Sequence, residues 1–287
     1  MKKSYIFAGM AILFWSTTAT VSKLLLGNLS GMQVLFVSSG AAGLALLLVN
    51  LCNGAFKKCR HYRPKDYAVM VLIGLPGTFL YYAFYYAGAN MLMASQAFII
   101  NYLWPIMSVV FACILLKEKM TLRRGLAIGL SFLGVVVVAG NDLLQFKTST
   151  LVGAACCVLC AVSYGLYTAL NQKYSYNKSV AVMVAYLSTF LVTGVILLAQ
   201  GRGFTLQPLQ WVGLAYNGMF TMALATTTWA LALESGKTAA ISNLAYLTPF
   251  ISLIWTFFIL KEPIVPASVI GLGIIVFGIF LQLKEKK

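Results

Sequence analysis

Asn101-Tyr102-Leu103-Trp104-Pro105 opens an apolar stretch that runs to Leu116, turns at Lys117-Glu118-Lys119 and crosses again from Gly125 to Gly140. The pattern returns without a gap 144 residues later. The repeated positions are Leu103 and Leu247, Pro105 and Pro249, Ser108 and Ser252, Leu116 and Leu260, Lys117-Glu118 and Lys261-Glu262, Gly129 and Gly273, and Gly134 and Gly278. A gapless match over about 35 residues indicates an internal duplication of a helix, a turn and a helix.

The composition predicts an all-α membrane protein. The chain is 61% apolar and 9% charged, whereas a soluble domain is about 25% charged. Spans of about 20 residues can be assigned from the apolar runs. Ten are predicted, at 4–26, 31–52, 67–87, 91–116, 123–140, 149–171, 178–200, 208–232, 238–260 and 264–283. The first resembles a secretory signal peptide, but apolar sequence continues to Leu26, so we expect an uncleaved span.

The basic residues predict the orientation. With the N-terminus inside, only Lys23, Lys147, Arg202 and Lys261 of the 21 Lys and Arg residues fall outside. The positive-inside rule then predicts a multi-pass inner (plasma) membrane protein with both termini cytoplasmic. The net charge of +15 needs no nucleic acid partner, because the cations are scattered through short loops rather than gathered on one face.

Each copy of the repeat contains five predicted spans, in residues 1–147 and 148–287. Five is odd, so the second copy enters the membrane with the opposite orientation. Such an inverted repeat is typical of transporters that alternate between inward-open and outward-open states.

The sequence resembles the EamA type of the drug/metabolite transporter superfamily in three features. They are Leu13-Phe14-Trp15-Ser16-Thr17, the two repeated stretches that run from a proline to a Lys-Glu pair, and the glycines of spans five and ten. Within that superfamily, Trp15-Ser16-Thr17 and Asn101-Tyr102-Leu103-Trp104-Pro105 are similar to the bacterial aromatic amino acid exporters. The resemblance implies ten helices, no cofactor, and export of an aromatic or other apolar amino acid.

All six carboxylates fall at or beyond the predicted span ends, at Asp66, Glu118, Asp142, Glu234, Glu262 and Glu285. A carboxylate inside the membrane is the usual means of exchanging protons. The sequence therefore favours uniport or exchange.

Aromatic and amide side chains occupy the middle of the spans instead. Pro105 and Pro249 weaken their helices, and broken backbone at membrane depth is tolerated beside a cavity. We expect the two prolines to act as helix breaks or gates. We expect a substrate site lined by Trp15, Ser16, Tyr82, Tyr85, Asn101, Tyr102, Trp104, Tyr164, Tyr167, Trp229, Asn243 and Tyr246.

Other motifs have structural interpretations. Cys156, Cys157 and Cys160 are read as packing residues rather than a metal site, because metal sites need more ligands and an aqueous route. Gly125-x-x-x-Gly129 is read as close packing within a monomer, with a weak homodimer as the alternative. No nucleophile–base pair or phosphate loop appears in the sequence, which argues against an enzyme.

The sequence thus predicts a transporter of a small amphiphilic metabolite. Two alternatives stay open: a carrier of another solute, such as a quaternary ammonium compound or drug held by cation–π contacts, and a non-transporting scaffold or receptor.

Overall fold

A computed structural model describes residues 2–144, 147–201, 205–233 and 244–283. Every regular element in these residues is helical. The α-helices are α1 Lys2–Ser16, α2 Thr18–Leu26, α3 Gly31–Cys52, α4 Ala55–Lys58, α5 Pro64–Leu75, α6 Tyr81–Met91, α7 Ala94–Asn101, α8 Trp104–Leu115, α9 Leu122–Leu144, α10 Thr148–Lys173, α11 Lys178–Ala199, α12 Pro208–Tyr216, α13 Ala225–Leu233, α14 Thr248–Leu260 and α15 Pro266–Leu283. Two π-helical segments, Pro76–Leu80 and Asn217–Leu224, and a short 3₁₀ turn, Ala245–Leu247, join some of them.

These helices line up with the predicted spans and confirm the all-α membrane class. Among the described residues, seven helical segments are long and apolar enough to cross a bilayer, and Ala245–Leu260 and Pro266–Leu281 are shorter apolar helices. The less apolar run from Pro208 to Leu233 is continuously helical through its π segment. Predicted ends differ from observed ones by a few residues; span three, for example, extends over Pro64–Met91.

The backbone repeats at the same interval of 144 residues as the sequence. Lys117 and Lys261 both have φ of 57°, and each following N–H closes the helix on a carbonyl six residues back. Glu118 donates to Ala112 at 3.4 Å, and Glu262 donates to Thr256 at 3.3 Å. Both lysines have the left-handed backbone conformation that commonly ends a helix, so the repeated Lys-Glu pair encodes a helix stop.

The 144-residue interval also holds before residue 101, where the repeat is not evident in the sequence. Span three begins with Pro64 and span eight with Pro208, each at the first helical position, where proline loses no helical hydrogen bond. Both π-helical segments end 144 residues apart, at Leu80 and Leu224. The chain therefore contains two repeated helix sets.

Two compact units are present, and each draws on both halves of the sequence. Unit 1 contains residues 1–79 and 176–252, and unit 2 contains residues 80–175 and 253–287. The bounds 1–147 and 148–287 of the two halves stay a prediction, while each compact unit joins helices from both halves.

Unit 1 is held together by close helix approaches at two equivalent glycines. Gly74 in span three lies against Ala185 of α11, and Gly218 in span eight lies against Ala41 and the Ser38 carbonyl of α3. No room remains at either glycine for a Cβ atom, and small residues are what allow membrane helices to approach this closely. Ala41 and Ala185 are themselves 144 positions apart, so the two contacts are the same contact made twice.

Unit 2 contains the corresponding contact between α9 and α15. A Cβ at Gly134 would lie 2.7 Å from the Gly271 carbonyl oxygen, and a Cβ at Gly271 would lie 2.7 Å from that of Gly134. The expectation of close packing at Gly125 and Gly129 is wrong: a Cβ at either position would meet no described atom within 4 Å. Both glycines are exposed because they lie away from the face that α9 turns toward α15.

Candidate functional site

Span four is interrupted at the position that the sequence predicts. Helix α7 ends at Asn101, Tyr102 and Leu103 form a turn, and α8 begins at Trp104 with Pro105 in its first turn. The N–H of Leu103 bonds back to the Ile100 carbonyl at 3.1 Å, which is a tightened turn rather than a continued α-helix. Two half-helix ends, of opposite dipole sign, therefore meet inside unit 2.

The Asn101 side chain bridges two neighbouring helices at this break. Its Nδ2 donates to the Tyr81 hydroxyl at 2.9 Å, and its Oδ1 accepts the Cys160 thiol proton at 3.1 Å. Asn101 is 2% exposed. Its amide consequently orients Tyr81, whose side chain is partly exposed.

Tyr81 belongs to a group of aromatic rings in unit 2. The Tyr164 ring centroid lies 5.0 Å from that of Tyr81 and 5.1 Å from that of Trp104, and the Tyr167 centroid lies 5.6 Å from Tyr164. These four rings are partly exposed, and the separations suit tilted and edge-to-face packing. We call Tyr81, Trp104, Tyr164 and Tyr167 the unit 2 ring cluster.

The other predicted unit 2 residues lie deeper. Tyr82, Tyr85 and Tyr102 are 6%, 1% and 4% exposed. The Tyr85 hydroxyl is buried without a described hydrogen-bond partner. Tyr81 was not among the predicted site residues. Helical spacing offered one signal for it, since Tyr81 and Tyr85 are four residues apart and stack with centroids 6.3 Å apart.

Unit 1 carries a second aromatic group beside a break in span one. The rings of Trp15 and Trp229 are 5.4 Å apart. Helix α1 ends at Ser16, and α2 begins at Thr18 without a proline between them. The hydroxyls of Ser16 and Thr17 donate to carbonyls three residues back, at 2.7 and 2.8 Å. Such back-bonding bends helices, so Trp15-Ser16-Thr17 encodes the break.

Two further unit 1 residues adjoin Trp15 along span one. The Thr17 and Tyr216 hydroxyl oxygens are 3.1 Å apart. Because Thr17 already donates to the Phe14 carbonyl, the Tyr216 hydroxyl donates to Thr17. Neither residue was in the predicted site.

The predicted residues of span nine also belong to unit 1. Tyr246 lies in the 3₁₀ turn and is 9% exposed, and Pro249 follows in the first turn of α14. Tyr246 lies 144 positions after Tyr102, at the matching break. Asn243 lies outside the described residues, and the repeat places Ala245, not Asn243, opposite Asn101.

The two repeated glutamates have different partners. The Glu262 carboxylate accepts the N–H groups of Ala94 and Ser95, at 2.7 and 3.1 Å, and the Ser95 hydroxyl at 2.9 Å. It therefore caps α7, the half-helix that ends at Asn101. Glu118 instead forms an ion pair with Arg124 at 2.8 Å. The sequence did not indicate this cap.

The comparisons with known proteins agree with this architecture. A model described as the EamA-like transporter family matches residues 2–140 and again 151–283. The chain belongs to the EamA-like transporter family. The two matches of this family, one in each half, correspond to the two helix sets described above.

The chain is similar along its length to several curated proteins. An uncharacterized transporter of Archaeoglobus fulgidus is 22% identical, over 99% of this chain and 100% of its own. A probable terminal-alkyne amino-acid exporter of Streptantibioticus cattleyicolor is 26% identical over 84% of each chain. The aromatic amino acid exporter YddG of Ancylobacter novellus is 23% identical, over 84% of this chain and 83% of its own.

A solved crystal structure of another protein has the same fold. It matches with a TM-score of 0.71 and 18% identity, over 98% of this chain and 96% of that one. The likeness supports the helix arrangement and carries no information about substrate.

Proposed function

We propose that this EamA-like transporter exports amino acids with aromatic or other apolar side chains across the inner membrane by alternating access. The observation that carries the proposal is the hydrogen bond from Asn101 to Tyr81 within the unit 2 ring cluster, at the break of span four. It supplies a ring surface and an oriented polar group in one place.

The chemistry of the cluster suits an amino acid with a ring. Tyr164 and Trp104, at 5.1 Å and an interplanar angle of 80°, offer both a face and an edge to an aromatic side chain. Tyr81 accepts from Asn101, which leaves the phenol proton available for a carboxylate oxygen. The α8 N-terminus at the break also favours a carboxylate, and the α7 C-terminus favours an ammonium group. A zwitterion can therefore be held without a charged side chain.

Two named relatives support an amino acid as the solute. One is called an aromatic amino acid exporter and the other a probable terminal-alkyne amino-acid exporter. Their identity to this chain is 23% and 26%, so the experiment below has to decide the substrate.

A quaternary ammonium compound is the second candidate, and the ring cluster favours it too. Aromatic faces bind such cations through their quadrupoles. The described carboxylates Asp66, Glu118 and Glu262 all lie at helix ends, so a cation would depend on the rings alone.

Thermal stabilisation of the purified chain by a panel of solutes tests the proposal directly. A bound solute raises stability by RT ln(1 + [L]/Kd). We expect tryptophan, tyrosine and phenylalanine to stabilise the chain more than alanine, and choline to have no effect. Stabilisation by choline but by no amino acid would replace the proposal with the second candidate.

A variant that lacks one ring of the unit 2 ring cluster tests whether the site prefers aromatic side chains. Trp104→Ala should weaken aromatic amino acids more than leucine, since the lost contact is a ring surface worth about 0.5–1.5 kcal/mol beyond area burial. Counterflow of the same amino acids in proteoliposomes then shows transport. A chain that binds them but never exchanges them across the membrane is a receptor and not an exporter.

A further inference from the structure

The loop between spans two and three carries a group of exposed cations. Lys57, Arg60, Arg63 and Lys65 are all exposed and lie within nine residues of one another in unit 1. We call these four residues the basic loop cluster. Helix α3 ends at Cys52 and α5 begins at Pro64, so the cluster lies where two spans leave the bilayer.

Hydrogen bonds and ring contacts hold this loop in place. The Tyr62 hydroxyl accepts the N–H of Asn177 at 2.9 Å. The Tyr62 ring meets Tyr67 and Tyr176 in edge-to-face contacts, with centroids 6.2 and 5.7 Å apart. Cys59 is buried, at 3% exposure. The cations therefore project from an ordered support.

The carboxylate nearest in sequence is already engaged. Asp66 accepts the Arg63 backbone N–H at 2.7 Å and the Tyr176 hydroxyl at 3.5 Å. Within the described residues, the four cations of the basic loop cluster take part in no ion pair. Asp66 contributes one negative charge beside these four positive charges, so the loop keeps a net positive charge.

The second copy of the repeat shows that the fold does not need these charges. The matching helix start is capped in the same way, with the Gln207 N–H donating to Gln210 at 2.9 Å. The positions 144 residues after the cluster are Gly201, Phe204, Gln207 and Leu209. The same cap forms there with neutral side chains, so the cations of the first copy have another use.

We propose that the basic loop cluster binds the phosphate groups of anionic phospholipids. Exposed Lys and Arg at the membrane surface attract anionic headgroups, and tyrosine rings settle at the same level. The position at two span ends favours lipid over a soluble acidic protein, because the headgroups lie against the loop without any further association step.

Native mass spectrometry of the detergent-solubilised full chain, titrated with dioleoylphosphatidylglycerol or dioleoylphosphatidylcholine, tests this. We expect the parent to bind the anionic lipid at least about a hundredfold more tightly than the zwitterionic lipid. In the triple variant Arg60→Gln, Arg63→Gln, Lys65→Gln, the affinity for that lipid should fall roughly fivefold per cation removed, or about a hundredfold in all. Binding of the zwitterionic lipid should not change.

A matched control removes three other exposed cations, through Lys119→Gln, Arg123→Gln and Lys173→Gln. It should keep the preference for the anionic lipid. An equal loss in the control would show that only overall charge matters and would overturn the site. A parent that binds poly-glutamate as tightly as phosphatidylglycerol would overturn the lipid assignment. If the triple variant does not fold, Arg60→Gln alone should show the fivefold loss, and unchanged affinity there also refutes the site.

Discussion

Asn101 uses its amide on neighbouring helices. Its amide bonds to Tyr81 and Cys160, which lie in other helices of unit 2. A side chain in this position fixes the direction of the Tyr81 hydroxyl. Under the proposed function, Asn101 is a positioning residue and Tyr81 is the group that would bind the solute.

Replacing Asn101 with Ala should weaken aromatic amino acid binding by roughly 5- to 150-fold. Without Asn101 the Tyr81 hydroxyl is no longer held toward the solute, and a solute carboxylate left without that partner costs about 1–3 kcal/mol of binding, where each decade of affinity corresponds to about 1.4 kcal/mol. Isothermal titration of monodisperse protein measures the change. Trp211→Ala is the control, because Trp211 is 54% exposed and should leave affinity unaltered. The cavity would be misplaced if the control lost affinity and Asn101→Ala did not.

At the residue scale, the sequence predicts structure well where a residue type, such as proline, restricts its own backbone conformation. Pro105 implied the interruption of span four that the structure shows, and Pro249 follows the 3₁₀ turn Ala245–Leu247 in the described part of span nine. The sequence does not predict which side chains are exposed where that depends on residues distant in the chain. Tyr81, Tyr82 and Tyr85 look alike in sequence, and only the packing of span six against span three separates their environments. The lining role of the predicted residues stays a prediction.

Glu262 provides a test at the level of one helix. Its carboxylate receives three hydrogen bonds at the N-terminus of α7, and bonds to a charged group are worth about 1.5–3 kcal/mol. Glu262→Gln keeps the shape but loses the charge, so we expect a loss of about 2 kcal/mol in unfolding free energy by denaturant titration in mixed micelles.

The repeat supplies the control for that experiment. Glu118 occupies the equivalent turn, but its side chain is 44% exposed and paired with Arg124. An exposed ion pair contributes about 0–1 kcal/mol, so Glu118→Gln should change stability little. Equal losses in both variants would mean that the turn, and not the cap of α7, is what matters.

Replacing each of two glycines of α9 with alanine should have opposite effects on stability. Gly134→Ala should destabilise the chain by about 1–3 kcal/mol, because its Cβ would press on the Gly271 carbonyl. Gly129→Ala meets open space and should be neutral or slightly stabilising, since alanine restricts the unfolded chain. Thermal unfolding of both variants decides. A damaging Gly129→Ala would instead indicate a contact with a second copy.

At this scale the sequence anticipated most of the fold. Apolar runs marked the spans because the bilayer demands about 20 such residues, and Lys-Glu marked two helix stops. The π-helical segments at Pro76–Leu80 and Asn217–Leu224 had no sequence signature. Neither did the pairing of helices from both halves into each unit, which depends on small residues that meet only after folding.

For the whole molecule, the inverted repeat predicts which loops share a side of the membrane. Single cysteines placed in the 53–66 loop and at Lys261 should react with a membrane-impermeant thiol reagent from opposite sides, with the 53–66 loop cytoplasmic. The background for both is a variant without the six native cysteines. Labelling of both sites from one side would refute the inversion.

The positions of the acidic residues bear on energy coupling. A protonatable carboxylate inside a span is the usual device that links a proton to a solute. The sequence places all six carboxylates at or beyond the predicted span ends, and the described Glu262 carboxylate caps α7. We therefore predict that movement of a zwitterion follows the gradient of the solute itself.

Proteoliposome flux separates solute-driven from proton-driven movement. Vesicles loaded with unlabelled tryptophan should take up labelled tryptophan by exchange, at a rate that an imposed pH gradient leaves unchanged. Empty vesicles under the same pH gradient should show no accumulation above the external concentration. Accumulation in empty vesicles that a protonophore abolishes would require a proton site. The phenols of the unit 2 ring cluster would then be the first groups to replace, through Tyr81→Phe and Tyr164→Phe. Loss of the accumulation in those two variants would place the proton site at the phenols.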